Sequence, residues 1–178
     1  MFSHYLQVQI KRIRFATQSK TLHTLMRKER YELEVASDAM TFEFTSVGPK
    51  GEIPKIIMYS EMYAEGFYNL GFGDKNLVTG VIDDLIITDN KDTQKVLATV
   101  ASTVYDFTDK YPEAFIFARG STKARTRLYQ MGIANNLEEI TTDFKVLGRK
   151  EGIWYIFKKN IEYNAFLITL KKNRIWNF

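Results

Sequence analysis

The chain has 178 residues, 45% of them hydrophobic, with 13 Phe, 10 Tyr and no cysteine. Such a length suits one domain with a sizeable core. The missing thiols exclude disulfides, thiolate metal ligands and cysteine nucleophiles, and fit a reducing compartment.

The formal net charge of +4 is unevenly spread. Residues 1–28 carry Lys11, Arg12, Arg14, Lys20, Arg27 and Lys28 and no acid. Taking those six from 25 basic residues leaves 19 against 21 acids, so the remainder is about −2. A basic surface built for nucleic acid is therefore not expected of the body. No apolar run approaches the ~18–20 residues that span a bilayer, and the expectation is a soluble cytoplasmic protein with no membrane partner. The 1–28 leader has transit-peptide composition without a secretory apolar stretch. It reads as lying outside the core, either as a start assigned too far upstream or, less favoured, as a basic arm. Both histidines, His4 and His23, fall inside it. The body then lacks the side chains for a Ser–His–Asp triad or a zinc site.

Residues 29–160 are expected to form a single α+β domain, and 161–178 a C-terminal extension. Tyr31–Val35 and Thr41–Thr45 alternate apolar with polar side chains, the period of half-buried strands, with a turn at Ser37 and Asp38. Gly48-Pro49-Lys50-Gly51 is a turn, and Ile53–Tyr59 a third strand of an antiparallel meander. Glu65–Asp74 (EGFYNLGFGD) packs three glycines and three aromatics into ten residues. It reads as a tight turn, or as a strand with a bulge or a close backbone approach; in the sharper version Phe67, Tyr68 and Phe72 line a groove. Val81–Thr88 is a further strand.

Val96, Val100, Val104 and Phe107, with Leu97 and Ala101, mark one buried helical face. Asp89, Asn90 or Asp92 is its candidate cap, and Tyr111-Pro112 its stop. Glu113–Arg119 is a short buried strand. A second helix follows, capped by Ser121 or Thr122, with Ala124, Leu128 and Met131 inward and an end near Gly132. Ile133–Leu137 reads as a short strand or irregular link. Phe144–Leu147 and Ile153–Lys158 form a hairpin, and Asn164–Phe178 an edge strand or loose tail. The sum is α+β: a mostly antiparallel, mixed sheet of about six or seven strands, a strand–helix–strand crossover and two main helices packed on it. The carboxylates of Asp83, Asp84, Asp89 and Asp92 have no calcium-loop spacing. They read as capping and solvation, and no metal is expected.

The densest functional signal is the turn into the second helix. A helix N-terminus leaves amides unpaired and carries about half a positive charge. Here it is flanked by Arg119, Lys123, Arg125 and Arg127, with Ser121, Thr122 and Tyr129 beside them. Cations there cost the helix ~0.3–1 kcal/mol each, and a bound anion removes that cost. The leading expectation is a non-enzymatic binding protein without a cofactor, whose partner is an acidic protein, a phosphate-bearing ligand or nucleic acid. RNA or single-stranded DNA would use the same arginines, with bases stacking on Tyr129. Lys123 and Arg127, four apart, can equally form a solvated face.

Strand, long helix, strand and a helix bearing Leu128-Tyr129-x-x-Gly132 resembles the cofactor half of Gcn5-related N-acetyltransferases. That resemblance implies acetyl-CoA as cofactor and Tyr129 as general acid to the departing thiolate. The expected pyrophosphate loop is replaced by Asp89–Lys95 (DNKDTQK), which lacks glycine. Tyr129 also precedes the glycine by three residues rather than the usual four, about 100° of helical rotation. The run YNLGFGD, then KVLATVASTVYDF, then FARGSTKARTRLYQMGI is similar to an uncharacterised bacterial domain-of-unknown-function family of small proteins, with distant phage relatives. This second resemblance makes Arg125-x-Arg127-Leu128-Tyr129 the shared feature, and a defence or toxin–antitoxin-like role is the associated expectation.

Overall fold

The computed structural model describes residues 29–83 and 88–173. The leader expected over 1–28, Asp84, most of the second half of the strand expected over Val81–Thr88, and the far end of the tail lie outside them. Alternation builds the first half of the sheet as expected. Strands β1 (Glu34–Val35), β2 (Thr41–Gly48), β3 (Gly51–Glu61) and β4 (Phe67–Lys75) form an antiparallel meander. Phe42 lies opposite Ile57, and Ile57 opposite Phe72. Phe42, Phe44, Ile57, Tyr59, Tyr68 and Leu70 are buried in one core.

A short strand, β5 (Ile82–Asp83), folds back along the end of β4. The glycines of YNLGFGD answer to it. A Cβ on Gly71 or Gly73 would stand 2.9 or 2.8 Å from the Ile82 side chain, so the strand is regular and the close approach is that of a neighbouring side chain.

Then come α1 (Thr93–Lys110), β6 (Phe115–Ala118), α2 (Lys123–Asn135), α3 (Leu137–Asp143), β7 (Phe144–Lys150), β8 (Ile153–Ile156) and β9 (Ala165–Leu170). The nine-stranded sheet runs β1-β2-β3-β4-β6-β9-β7-β8, with β5 beside β4. Among the described residues, β4 with β6 is the only parallel pair, and the pair that brackets the crossover helix α1. The inward stripe of α1 is the one its spacing predicts: Val96, Val100, Val104 and Phe107 are all buried. The fully buried ring of Phe107 stacks on Tyr59 at 4.0 Å and meets Tyr68 edge-on at 5.1 Å, fastening the helix across the meander.

Four details differ from the sequence expectation. The segment after Gly132 is helical, so the described residues hold three helices; Gly132 lies within α2, where a Cβ would be 3.4 Å from Leu97 of α1. The glycine serves a helix crossing rather than a helix end. On α2 the buried positions are Arg125, Thr126, Tyr129, Gly132 and Ile133, while Ala124 is exposed and Leu128 and Met131 are half-buried. The helix is turned by about one residue, some 100°. At α1, Asp92 occupies the capping position but no side chain caps the helix. Finally, the segment from Asn164 contributes an interior strand rather than an edge. All six residues of β9 are buried between β6 and β7, as an unbroken AFLITL run suits a strand covered on both faces.

Candidate functional site

Strands β4 and β6 run side by side from Phe67 and Phe115 to Leu70 and Ala118. There β6 ends, while β4 continues to Lys75. Parallel strands bring their C-terminal ends to one edge, and the helices that follow begin there; such a parting is where open α/β sheets take ligands. A cleft of about 660 Å³ opens in this gap. Gly71, Phe72 and Gly73 form one wall, and the residues after β6 the other. The first turns of α1 (Thr93, Val96, Leu97) and α2 (Arg125, Leu128) close it.

Its cationic lining follows from the turn Arg119–Thr122. Gly120 presses so closely on α2 that a Cβ would sit 2.3 Å from the Thr126 nitrogen. The Gly120 N–H donates to Thr126 Oγ1 at 3.2 Å, and Thr122 Oγ1 accepts from the Arg125 N–H at 3.2 Å as the N-cap. This tight start fixes the phase of α2 and sends Arg125 and Tyr129, one turn apart, toward the sheet. Arg125 is buried, and its Nη2 donates to the Asp83 carbonyl at 3.2 Å. Its guanidinium thus spans the gap from α2 to β5. Tyr129 is buried too: its hydroxyl donates to the Leu70 carbonyl at 2.9 Å, and its ring meets Phe72 edge-on at 5.1 Å.

Arg119, Ser121, Arg125 and Tyr129 therefore line the cleft. Thr122 is committed to capping. Lys123 and Arg127 are exposed and stand outside the lining. The cations expected as one group are thus divided between the cleft and the solvated face of α2.

Carboxylates line the cleft as well, and those of Asp74, Asp89 and Asp92 are each engaged. Asp74, buried, pairs with buried Lys55 and accepts from the Thr88 hydroxyl. Asp92 accepts from the Tyr31 hydroxyl at 2.8 Å and from Ser46 Oγ at 2.6 Å. Asn90, fully buried, accepts from the Lys50 N–H at 2.9 Å and donates to Ser46 Oγ and the Gly51 carbonyl, each at 3.0 Å. Together these bonds tie the start of α1 to the β2–β3 turn. Asp89 lies 2.6 Å from the Lys91 ammonium, whose hydrogen bond holds the carboxyl below its ordinary range. Phe72, Val96, Leu97 and Leu128 line it too. The cleft therefore combines apolar side chains with cations and with carboxylates that are already engaged.

Among the described residues no three His, Cys, Asp or Glu side chains gather as a metal site would require, and no helix is long and apolar enough to cross a membrane. The sequence did not flag Lys55, Asn69, Asp74, Leu97 or Phe117 as site residues, though all line the cleft. They come from four different elements, and only the glycine-rich strand hinted at their meeting place. Of the aromatics expected in a groove, Phe72 lines the cleft, Tyr68 is in the core, and Phe67 stacks on Phe115 at 4.8 Å.

Comparison with known proteins adds the family. The model described as "Family of unknown function (DUF6934)" matches residues 27–171. The chain belongs to that family. No curated protein and no solved structure matches it.

Proposed function

We propose that this chain is a binding protein for an elongated small molecule with an anionic end, phosphate or carboxylate, held in the cleft where β4 and β6 part. The observation behind it is that Arg119, Ser121 and Arg125, at the start of α2, line one cleft together with the apolar Phe72, Val96, Leu97 and Leu128. Burial and a helix dipole both strengthen a charge-assisted hydrogen bond to an anion. A concave site of this size suits a small ligand better than an acidic protein surface, and the outward Lys123 and Arg127 drop from the proposed contacts. A bacterial, cytoplasmic setting and a defence role stay proposals.

The test is calorimetric titration with inorganic diphosphate, coenzyme A and acetyl-CoA, repeated with Arg119→Ala. Arg119 is exposed, so the variant keeps the fold; loss of one charge-assisted hydrogen bond weakens binding by about 1.5–3 kcal/mol. Equal affinity in both proteins counts against the site.

One observation favours a second reading, an acyltransferase descendant. It rests on the Gcn5-related resemblance, supported by the long helix α1, the strand β6 and the helix α2 that follow β4 and the two-residue β5 in that order. Two features weigh against catalysis: the Tyr129 hydroxyl is bonded to the Leu70 carbonyl, and Asp89 and Asp92 stand where a diphosphate would approach α1. Acetyl-CoA binding without acyl transfer to any amine fits the binding reading; transfer that disappears in Tyr129→Phe fits the enzyme.

A further inference from the structure

Strand β4 brings an uncommitted amide to the cleft. Leu70 is buried in the core with α1, so its neighbour Asn69 points to the sheet face turned away from the helices. Opposite Asn69 in the register stands Phe117 of β6. Both are half-buried, and both line the cleft. Among the described residues the Asn69 amide has no hydrogen-bond partner. It therefore keeps a donor and an acceptor side by side.

The amide leans along the strand toward Gly71, its nitrogen 3.9 Å from where a Cβ there would stand. Two residues on, a Cβ at Gly73 would lie 3.7 Å from Nη1 of Arg125. Amide and guanidinium thus share one face of β4, about two residues of strand or roughly 6.6–6.8 Å apart. The Ile82 side chain covers the bare backbone of both glycines. Arg119 lines the same cleft from just beyond β6.

We infer that the cleft takes a nucleotide, with the edge of its base on Asn69, the base face on Phe117 and the phosphate on Arg119 and Arg125. The inference rests on the binding reading above and names its ligand class. A base edge offers the donor and acceptor that a side-chain amide matches, and an aromatic ring stacks on any base. The ribose is a spacer of the length that separates amide from guanidinium. Two simpler ligands fit less well. An alkyl chain laid over Asn69 would bury its amide unpaired, at a cost in affinity. A bare phosphate would use the arginines and leave both the amide and the ring idle.

Calorimetric titration of the full-length chain with AMP, GMP, CMP, UMP and ribose 5-phosphate tests this, because the last carries sugar and phosphate without a base. At least one nucleotide is expected to bind about tenfold or more tightly than ribose 5-phosphate. Asn69→Ala removes that advantage and leaves the affinity for ribose 5-phosphate unchanged, whereas Arg119→Ala weakens both. Phe117→Leu, which keeps an apolar side chain and loses the ring, repeats the loss of base preference and decides the matter if Asn69→Ala proves unfolded. Ribose 5-phosphate held through Arg119 with no gain from any base overturns the nucleotide and leaves the anion site standing. No binding of any of the five compounds, or a base preference intact in Asn69→Ala, overturns it as well.

Discussion

Gly120 has no room for a methyl group. Its missing Cβ would stand 2.3 Å from the Thr126 nitrogen and 2.5 Å from the Arg125 carbonyl carbon, so any side chain must displace the first turn of α2. Gly120→Ala is expected to cost about 3 kcal/mol in urea denaturation, at the upper end for overpacking because backbone rather than a side chain must move. Ser121→Ala next to it, at an exposed position, should stay within about 0.5 kcal/mol. A second prediction concerns Asp106, whose burial on α1 pushes its carboxyl up to about 6, with neighbouring Asp109 adding and Arg30 opposing. The folded value lies above the unfolded one, so the folded state holds the proton more tightly. Its charged form therefore costs stability, a cost absent below about pH 4 and complete above about pH 7. Asp106→Asn should stabilise the chain by roughly 1–2 kcal/mol at neutral pH, after allowance for screening, and change little at pH 4. An effect equal at both pH values would contradict this cause. The cluster Arg119, Ser121, Arg125 and Tyr129 was legible as residue types. Which of seven candidates turn inward was not, because that depends on the phase the Gly120–Thr126 contact gives to α2.

Elements were legible where one period dominates. The alternation of β2 and the spacing of four, four and three in α1 each name a face, and the structure buries those faces. Legibility failed where tertiary contact overrides the local signal. Gly132 looks like a helix stop, yet α2 runs through it, because the glycine lets α2 cross α1 at Leu97. The AFLITL run carried the signature of a doubly covered strand, but its place near the end of the chain concealed that β9 sits between β6 and β7. Long-range pairing of this kind leaves no trace in local spacing. The exposed β8 marks the limit of patterning: its residues look like core, and only the strand order puts them at an edge.

At the scale of the whole molecule, one parallel pair in a sheet otherwise antiparallel among the described residues creates the cleft. Helices α1 and α2 both begin at its rim, and Asp74, Asp89 and Asp92 line it together with Arg119 and Arg125. The cleft could not be read from the chain, since its walls come from β3, β4, β5, β6, α1 and α2, and nothing local announces that β4 outruns β6. Occupancy of that gap is the central claim. The most direct measurement is native mass spectrometry of the full-length chain taken gently from cells, beside Leu128→Trp, which fills the cleft from the half-buried face of α2. The account predicts a small organic anion carried by the wild-type chain and lost from the variant, while both keep the same melting temperature. The same anion retained in equal amount by Leu128→Trp, or a wild-type chain that carries none, would contradict it.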